Sequence, residues 1–379
     1  MCDVVHFYKN ACMMNIMTLT VNDITIHDGQ SHSENRSWVK WAIRQLEAEH
    51  TRSADTHIFR LEHPRVPDGI DIYLKDEAAH TTGSLKHRLA RSLVLYGLCN
   101  GEIVKDTPLI EASSGSTAVS EAYFARLLGL PFYAVMPATT ARAKQRLIER
   151  EGGKCVLVEN GSHIYQKAQE LAEAQDGYYM DQFTNAEKAT DWRGNNNIAE
   201  SMFAQLSDEK FSEPEWFVIG AGTGGTSTTV ARYIRLNKLN TQVCIADVEN
   251  SAFTYAVKGS EIPLELPGSR IEGIGRPRVE PSFMPQLIDR IVQIPDAASI
   301  NAMRWASDVL GKKVGGSTGS NVYVAILLAD EMAKNGVTGS ILTLICDDGN
   351  RYSDTYFDDN WLQNQNIDIN PYKGTLEIE

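Results

Sequence analysis

The sequence predicts an α/β protein of two lobes, each a mostly parallel β-sheet covered by helices. Short segments rich in Val and Ile alternate with segments of helical periodicity along most of the chain. This alternation occurs in two runs, separated by a loop-rich stretch at residues 181–197. The length of 379 residues is enough for at least two domains. Repeated strand–helix units of this kind form parallel sheets with helices on both faces.

The first run begins with a helix from Ser37, because Trp38, Ala42, Ile43 and Leu46 recur at three- and four-residue spacing. Strands then follow at 70–75, 108–112, 132–136 and 154–158. The helices between and after them are predicted at 85–98, 118–128, 141–151 and 164–174.

The second run contains predicted strands at 216–219, 242–248, 291–294 and 340–345. Its helices are predicted through Arg235, over 297–310 and over 322–335. The domain organisation that we predict has four parts. They are an N-terminal extension of unknown order at 1–35, an N-terminal segment at 36–75 that packs on the larger lobe, a smaller lobe at 76–190 and a larger lobe at 191–379.

Composition excludes several classes of protein. The chain has 49 acidic and 36 basic side chains and a net charge of −13, which disfavours binding to nucleic acid or to an anionic membrane. No apolar run approaches the roughly 18 residues of a membrane-spanning helix, and the N-terminus lacks the pattern of a signal peptide. The six cysteines are scattered without zinc spacing, so we expect a cytoplasmic protein with reduced thiols and no metal site.

A glycine-rich loop at 220–226 (GAGTGGT) follows one predicted strand and opens a predicted helix. Glycines allow a tight turn with exposed backbone N–H groups, and the helix N-terminus adds a partial positive charge. The loop is therefore a candidate phosphate site. Its candidate ligands are Gly222, Thr223, Gly224, Gly225 and Thr226.

The same loop also fits a dinucleotide site. Gly220, Gly222 and Gly225 have the GxGxxG spacing, and Asp247 and Glu249 follow about 20 residues later, where a ribose-binding carboxylate belongs. From this loop alone, a nicotinamide cofactor remains an alternative.

Lys86 lies in the stretch 75–88 (KDEAAHTTGSLKHR), which has the pattern of a strand, a turn and a helix that begins near Leu85. A cation in the first turn of a helix is disfavoured by the helix dipole. In a cleft, this position lowers the pKa of the amine from about 10.4 and favours its use as a nucleophile.

Two hydroxyl-rich stretches precede predicted helices. The stretch 111–117 (EASSGST) places several hydroxyl and N–H groups at a helix start, which suits a carboxylate ligand, although an ordinary N-cap has the same composition. The stretch 315–321 (GGSTGSN) precedes the helix predicted from Val322, and alone it would be a capping turn.

Taken together, and in their order along the chain, the four stretches resemble the fold-type II pyridoxal-phosphate enzymes of the cysteine synthase and cystathionine β-synthase group. The resemblance covers roughly residues 50–355 and includes 181–183 (DQF), 271–275 (IEGIG) and 347–352 (DDGNRY). It implies a tryptophan synthase β-like fold, pyridoxal 5′-phosphate as the cofactor, an amino-acid substrate and a homodimer.

The resemblance also implies residue roles. Lys86 would hold the cofactor as a Schiff base and act in catalysis, residues 222–226 would bind its phosphate, and Ser317 would face the pyridine nitrogen. Ser116 stands where the family has an asparagine that hydrogen-bonds the ring hydroxyl of the cofactor. The implied substrate-binding residues are Ser113, Ser114, Gly115, Thr117 and Gln182.

Ser116 and the segment 192–200 depart from the synthase pattern and are similar to a bacterial branch of L-cysteine desulfhydrases. The expected reaction is therefore β-elimination on L-cysteine, which releases sulfide, pyruvate and ammonia. Two alternatives remain: β-replacement, as in a cysteine synthase or a cystathionine β-synthase, and a regulatory protein that holds the cofactor with little turnover.

Overall fold

The computed structural model describes residues 29–53, 55–193 and 197–376, with the side chains from residue 33 onwards. The predicted extension at 1–35 lies largely outside the described residues, but its last part belongs to a helix that begins at Gly29. Within the described ranges no helix is long and apolar enough to cross a membrane.

The larger lobe is built on a sheet of six strands in the order β1-β2-β10-β7-β8-β9. Only β1 is antiparallel to its neighbour, and the other pairs are parallel. These strands are β1 (Ile58–Arg60), β2 (Ile70–Asp76), β7 (Trp216–Ile219), β8 (Gln242–Val248), β9 (Arg290–Ile294) and β10 (Gly339–Ile345).

Both faces of this sheet are covered. Along β8, Cys244 and Ala246 belong to one apolar core, whereas Val243 and Ile245 belong to another on the opposite face. This alternation follows from the two-residue period of a strand, and it confirms the predicted double covering. The helices of this lobe are α7 (Ile198–Leu206), α8 (Gly225–Asn237), α9 (Ala252–Lys258), α10 (Asp296–Leu310), α11 (Gly316–Lys334), α12 (Asp359–Asn364) and α13 (Lys373–Leu376).

The smaller lobe has an all-parallel sheet of four strands in the order β5-β4-β3-β6. Its strands are β3 (Leu109–Glu111), β4 (Phe132–Pro137), β5 (Lys154–Val158) and β6 (Tyr178–Tyr179). Ala134 and Met136 on β4 face one apolar core, and Val135 faces the other. The helices are α2 (Lys86–Asn100), α3 (Ser116–Leu128), α4 (Arg142–Arg150), α5 (Ile164–Ala174) and α6 (Gln182–Ala189).

The N-terminal segment at 36–75 is divided between the two lobes. Strands β1 and β2 join the larger sheet, but helix α1 (Gly29–Ser53) buries Ala42 and Leu46 in the core that α2 and α3 share. The prediction that the whole segment packs on the larger lobe is therefore wrong for the helix. Periodicity identified the apolar face of α1, but it could not identify the surface that this face covers.

Two predicted loops are helical in the structure. Helix α6 begins at Gln182, inside the stretch predicted as loop, and Asp181 caps it by accepting a hydrogen bond from the Thr184 N–H. Helix α11 begins at Gly316 rather than Val322. Its polar, glycine-containing first turn is helical because it is packed against α10. A Cβ at Gly319 would lie 2.1 Å from the Ser299 carbonyl oxygen, so the close approach of the two helices requires glycine.

Candidate active site

A cavity of about 390 Å³ lies between the lobes, and residues from both sheets line it. The carboxyl ends of parallel strands are the usual ligand-binding edge of such sheets. The cavity brings together parts of all four stretches singled out in the sequence, although they are spread over more than 200 residues of chain. Its predicted lining residues are Lys86, Ser113, Ser114, Gly115, Ser116, Thr117, Gln182, Gly222, Thr223, Gly224, Thr226 and Ser317. The remaining residue of the predicted phosphate site, Gly225, does not line this cavity but a smaller neighbouring one.

Lys86 is the first residue of α2, as predicted, and its side chain lines the cavity. Burial lowers the pKa of its amine, whereas the nearby Cys346 and Asp347 act in the opposite direction. A lowered pKa increases the fraction of neutral amine, which is the form that attacks an aldehyde or accepts a proton. The residue therefore has the environment of a nucleophile and base.

The loop at 220–226 forms a cup whose shape is set by backbone contacts. A Cβ at Gly222 would lie 2.1 Å from the Gly273 carbonyl oxygen, and one at Gly224 would lie 2.5 Å from the Phe283 Cα. Gly224 also has a φ of +84°, which favours glycine. Larger residues at either position would push the surrounding backbone away, so the glycines keep the cup small.

The cup fits a phosphate group. Among the described residues, none accepts a hydrogen bond from the backbone N–H groups of Gly222, Thr223 and Thr226. These donors lie at the start of α8, where the helix dipole also favours an anion. The Thr223 hydroxyl stabilises the turn by accepting a hydrogen bond from the Gly225 N–H at 3.1 Å.

Asp247 is not placed to bind a ribose. Its side chain is fully buried, and it accepts hydrogen bonds from the Thr254 N–H at 3.0 Å and the Thr254 hydroxyl at 2.6 Å. Burial raises the pKa of this carboxyl. Glu249, the other candidate, accepts a hydrogen bond from the Asp296 N–H at 3.4 Å. Because neither carboxylate lines the cavity, the nicotinamide alternative loses the ribose partner on which it depended.

The stretch 113–117 connects β3 to α3 and lies along the smaller-lobe side of the cavity. Its last residue, Thr117, donates a hydrogen bond from its hydroxyl to the Gln182 Oε1 at 2.8 Å. The backbone N–H of Gln182 in turn donates to the Glu111 Oε2 at 3.1 Å. The predicted substrate residues are thus linked to one another through side chains.

Ser116 has a contact that the sequence did not reveal. Its hydroxyl accepts a hydrogen bond from the Arg351 guanidinium, which also donates to the carbonyl oxygens of Thr82 at 3.3 Å and Gly83 at 3.4 Å. Arg351 belongs to the DDGNRY segment of the larger lobe. Ser116 therefore lies at a junction between the lobes as well as in the cavity.

The side chain that hydrogen-bonds Ser317 is uncharged near neutral pH. Ser317 lies in the first turn of α11, and its hydroxyl hydrogen-bonds the Cys346 thiol. This thiol also accepts a hydrogen bond from the Asn321 Nδ2 at 3.4 Å, and burial raises its pKa to about 12. Beside it, burial raises the pKa of Asp347 to about 6, while the Tyr352 hydroxyl donates a hydrogen bond to that carboxylate at 2.6 Å.

Two contacts across the cavity mouth were missed by sequence reasoning. Lys144 of the smaller lobe pairs with Glu272 of the larger lobe at 2.7 Å. The Arg276 guanidinium of the larger lobe donates to the Tyr165 hydroxyl at 2.6 Å. Lys144 lies in a charged helix and Tyr165 in an amphipathic one, so nothing in their local sequence distinguished them from ordinary surface residues.

The family of the chain follows from its sequence profile. The profile of the pyridoxal-phosphate dependent enzymes matches residues 52–347, which is most of the chain. The chain therefore belongs to this family, and pyridoxal phosphate is its cofactor. The cup, the lysine whose pKa is lowered by burial, and the uncharged Ser317 and Cys346 side chains are compatible with that group.

Individual relatives narrow the resemblance. The chain is 56% identical to the L-cysteine desulfhydrase Cds1 of Mycobacterium tuberculosis over 92% of this chain and 96% of the relative. A hydrogen sulfide-producing enzyme from Fusobacterium nucleatum (Fn1055) has a similar structure, with a TM-score of 0.73 at 25% identity over 84% of this chain and 93% of that chain. An O-acetylserine dependent cystathionine β-synthase from Helicobacter pylori has a TM-score of 0.68 at 26% identity. This match covers 82% of this chain and 97% of that chain. These similarities confirm the fold-type II architecture.

Proposed function

We propose that this protein is an L-cysteine desulfhydrase, which catalyses β-elimination on L-cysteine and releases sulfide, pyruvate and ammonia. The observation that carries the proposal is the 56% identity to an L-cysteine desulfhydrase over nearly the full length of both chains. The similarity to a hydrogen sulfide-producing enzyme gives further support.

The cofactor, when bound, supplies an electron-withdrawing ring that makes the α-proton of an amino acid acidic. In this proposal Lys86 holds the cofactor covalently through its amine. Gly222, Thr223, Gly224 and Thr226 would hold the phosphate with backbone N–H and hydroxyl donors. Gly225, whose N–H already donates to the Thr223 hydroxyl, would contribute to the shape of the loop. Ser317 presents a neutral hydroxyl to the ring nitrogen, because neither it nor the neighbouring Cys346 thiol carries a charge near neutral pH.

The substrate is oriented by the smaller lobe. We assign Ser113, Ser114, Gly115, Thr117 and Gln182 to the substrate carboxylate, which N–H and hydroxyl donors at a helix start are suited to bind. Ser116 takes the position beside the ring hydroxyl of the cofactor. The Arg351 guanidinium that contacts Ser116 sets the direction in which its hydroxyl can donate.

When its amine is not bound to the cofactor, Lys86 would accept the α-proton of the substrate, because burial lowers the pKa of this amine and so increases its neutral fraction. The electron pair of the Cβ–S bond leaves with the sulfur, which departs as hydrosulfide. Water subsequently converts the remaining three-carbon fragment into pyruvate and ammonia. The contacts Lys144–Glu272 and Arg276–Tyr165 would hold the two lobes together around the bound substrate.

The test is to measure sulfide and pyruvate from L-cysteine alone, and L-cysteine from O-acetylserine plus sulfide. We expect equal amounts of sulfide and pyruvate from the first reaction, at a higher kcat/KM than the second. A higher kcat/KM for cysteine formation would instead establish β-replacement, which the similarity to the O-acetylserine dependent enzyme favours. Absence of both products from cofactor-loaded protein would favour the regulatory alternative.

Two further expectations remain, one from the family resemblance and one from the scattered cysteines of the sequence. We propose that the protein is a homodimer and that it is located in the cytoplasm. Size-exclusion chromatography with light scattering tests the first, and fractionation of cells that express the protein tests the second.

A further inference from the structure

Two buried carboxyl groups, those of Glu111 and Glu121, lie beneath the substrate loop and have no part in the chemistry described above. Glu111 is the last residue of β3, and Glu121 lies in the second turn of α3, so the two residues flank the stretch 113–117 in the chain. Both are 0% exposed. Glutamates are almost never buried so completely unless they are paired.

Glu111 connects the two parts of the proposed carboxylate site, which are the stretch 113–117 and Gln182. Its Oε1 accepts a hydrogen bond from the Ala112 N–H at 2.8 Å, and its Oε2 accepts one from the Gln182 N–H at 3.1 Å. The side chain of Gln182 is joined to Thr117 at 2.8 Å. Two backbone donors favour the ionised form of Glu111.

Glu121 has the opposite environment. Neither of its carboxyl oxygens accepts a hydrogen bond from any residue that the structure describes. Its carboxyl is instead within hydrogen-bonding range of Glu111, which is itself an acceptor. Two acceptors can be joined only by a proton. Because Glu111 already accepts two backbone N–H groups and Glu121 accepts none among the described residues, Glu121 is the partner better placed to carry that proton and donate it.

Among the residues that the structure describes, the titratable groups that act on the pair include no cation that could replace this proton. Asp181, Tyr178 and Tyr179 are the titratable residues that act on it, and each is either acidic or neutral. Burial raises the pKa of both glutamates, to about 8 for Glu111, and the charge of Glu111 acts against ionisation of Glu121.

We propose that Glu121 is a positioning residue, which carries a proton, donates it in a hydrogen bond to Glu111 and thereby holds Gln182 and the stretch 113–117 in the geometry that binds the substrate carboxylate. This inference rests on the proposed function of that stretch. It does not depend on whether the bound amino acid undergoes elimination or replacement.

The sign of the pH effect follows from the raised pKa values. The protonated pair stabilises the folded protein fully at acidic pH, and this contribution is lost as the pH rises above the ordinary range of a carboxyl group. When the proton leaves, two adjacent buried carboxylates repel each other and the carboxylate site loosens. KM for the amino-acid substrate should therefore rise on the alkaline side.

The experiment compares Glu121→Gln and Glu121→Leu with the wild type as holoenzymes. The amide of Gln donates permanently to Glu111 and carries no titratable proton, whereas Leu fills the space without a donor. We expect Glu121→Leu to raise KM roughly 10-fold with a smaller change in kcat, as loss of one hydrogen bond to a charged group allows. Glu121→Gln should keep the KM of the wild type near neutral pH and should lack the alkaline rise in KM that remains in the wild type.

Leu128→Ala is the control for a general loss of stability, because Leu128 is buried at the far end of α3. It should lower the melting temperature without raising KM. The visible absorbance of the bound cofactor is recorded for every variant, so a failure of the cofactor site is seen separately. KM is measured for whichever amino acid the enzyme consumes, so an error in the assigned reaction is also seen separately.

Three outcomes would overturn the proposal. In the first, Glu121→Leu has the KM of the wild type. In the second, Glu121→Gln raises KM as much as Glu121→Leu does. In the third, the alkaline rise in KM is the same in Glu121→Gln as in the wild type. If Glu121→Leu does not fold, the comparison of pH profiles between the wild type and Glu121→Gln still decides the matter.

Discussion

The two ligand-binding loops of this enzyme are held in different ways. The phosphate cup at 220–226 is shaped by backbone against backbone, since Cβ atoms at Gly222 and Gly224 would meet the main chain at 2.1 Å and 2.5 Å. The substrate loop at 113–117 is open by comparison, and a Cβ at Gly115 would meet no atom within 4 Å. Its position depends on side chains instead.

The side chains that hold the substrate loop come from both lobes. Glu111 and Gln182 join it to the smaller lobe, and Arg351 joins Ser116 to the larger lobe. When backbone contacts shape a site, a substitution that disturbs them abolishes ligand binding. When side chains position a site, single substitutions can change its substrate or its reaction while the site remains formed. We therefore expect cofactor binding to fail abruptly on mutation and reaction choice to change gradually.

The largest effect is expected for Lys86→Ala, which tests whether the cofactor held by the cup and the substrate held by the other loop both react at Lys86. The variant should retain weak, reversible cofactor binding through the cup but lose the covalent attachment. Turnover should fall by several orders of magnitude, about 10³-fold or more, because nucleophile and base are removed together. Absorbance after borohydride treatment and steady-state kinetics measure the two losses, and full activity would contradict the whole assignment.

The next largest effect is expected for Gly222→Ala, which tests whether backbone packing shapes the phosphate cup. Gly222→Ala introduces a methyl group against the Gly273 carbonyl, so the cup must open. An overpacking cost of about 3 kcal/mol lowers cofactor affinity roughly 150-fold. Gly115→Ala is the matched control, and its cofactor affinity should stay within about 2-fold of the wild type. Fluorescence titration with pyridoxal phosphate measures both, and equal losses in the two variants would show that the loops do not differ.

Thr226→Ala sharpens the description of the cup, because it removes a side-chain donor without disturbing the backbone. Loss of one charge-assisted hydrogen bond, worth about 1.5–3 kcal/mol, should weaken cofactor binding roughly 10- to 150-fold. The substrate KM of the fully loaded enzyme should change little. The same titration decides the prediction, and an unchanged affinity would place the phosphate elsewhere.

The smallest effect, a change in the ratio of products, is expected for Ser116→Asn in the substrate loop, which is held by side chains. Asparagine is longer than serine, so it fills space through which a water molecule could reach the substrate. It also replaces the hydroxyl that accepts the hydrogen bond from Arg351 with an amide. We expect the ratio of pyruvate to cysteine, with O-acetylserine and sulfide supplied, to fall roughly 5- to 30-fold.

The control for this change is Ser162→Asn, at an exposed serine of the smaller lobe. It should leave the product ratio as it is in the wild type. If Ser116→Asn also leaves the ratio unchanged while it still binds cofactor covalently, reaction choice is made elsewhere. The segment 192–200, which also departs from the synthase pattern, is then the next place to test.

The sequence by itself determined the features that depend on local order along the chain. Alternating strand and helix patterns predicted both parallel sheets, and the glycines and threonines of 220–226 predicted a helix start with free N–H donors. Lys86 was placed correctly at the start of α2 for the same reason. Such features are set by neighbours only a few residues apart.

Only the tertiary structure decided which distant residues meet. It placed α1 on the smaller lobe, made the start of α11 helical by packing it against α10, and occupied Asp247 with Thr254. It also brought Arg351 to Ser116 and Glu121 to Glu111. The physical reason is that burial and pairing depend on what covers a side chain, and the covering residues come from other parts of the chain.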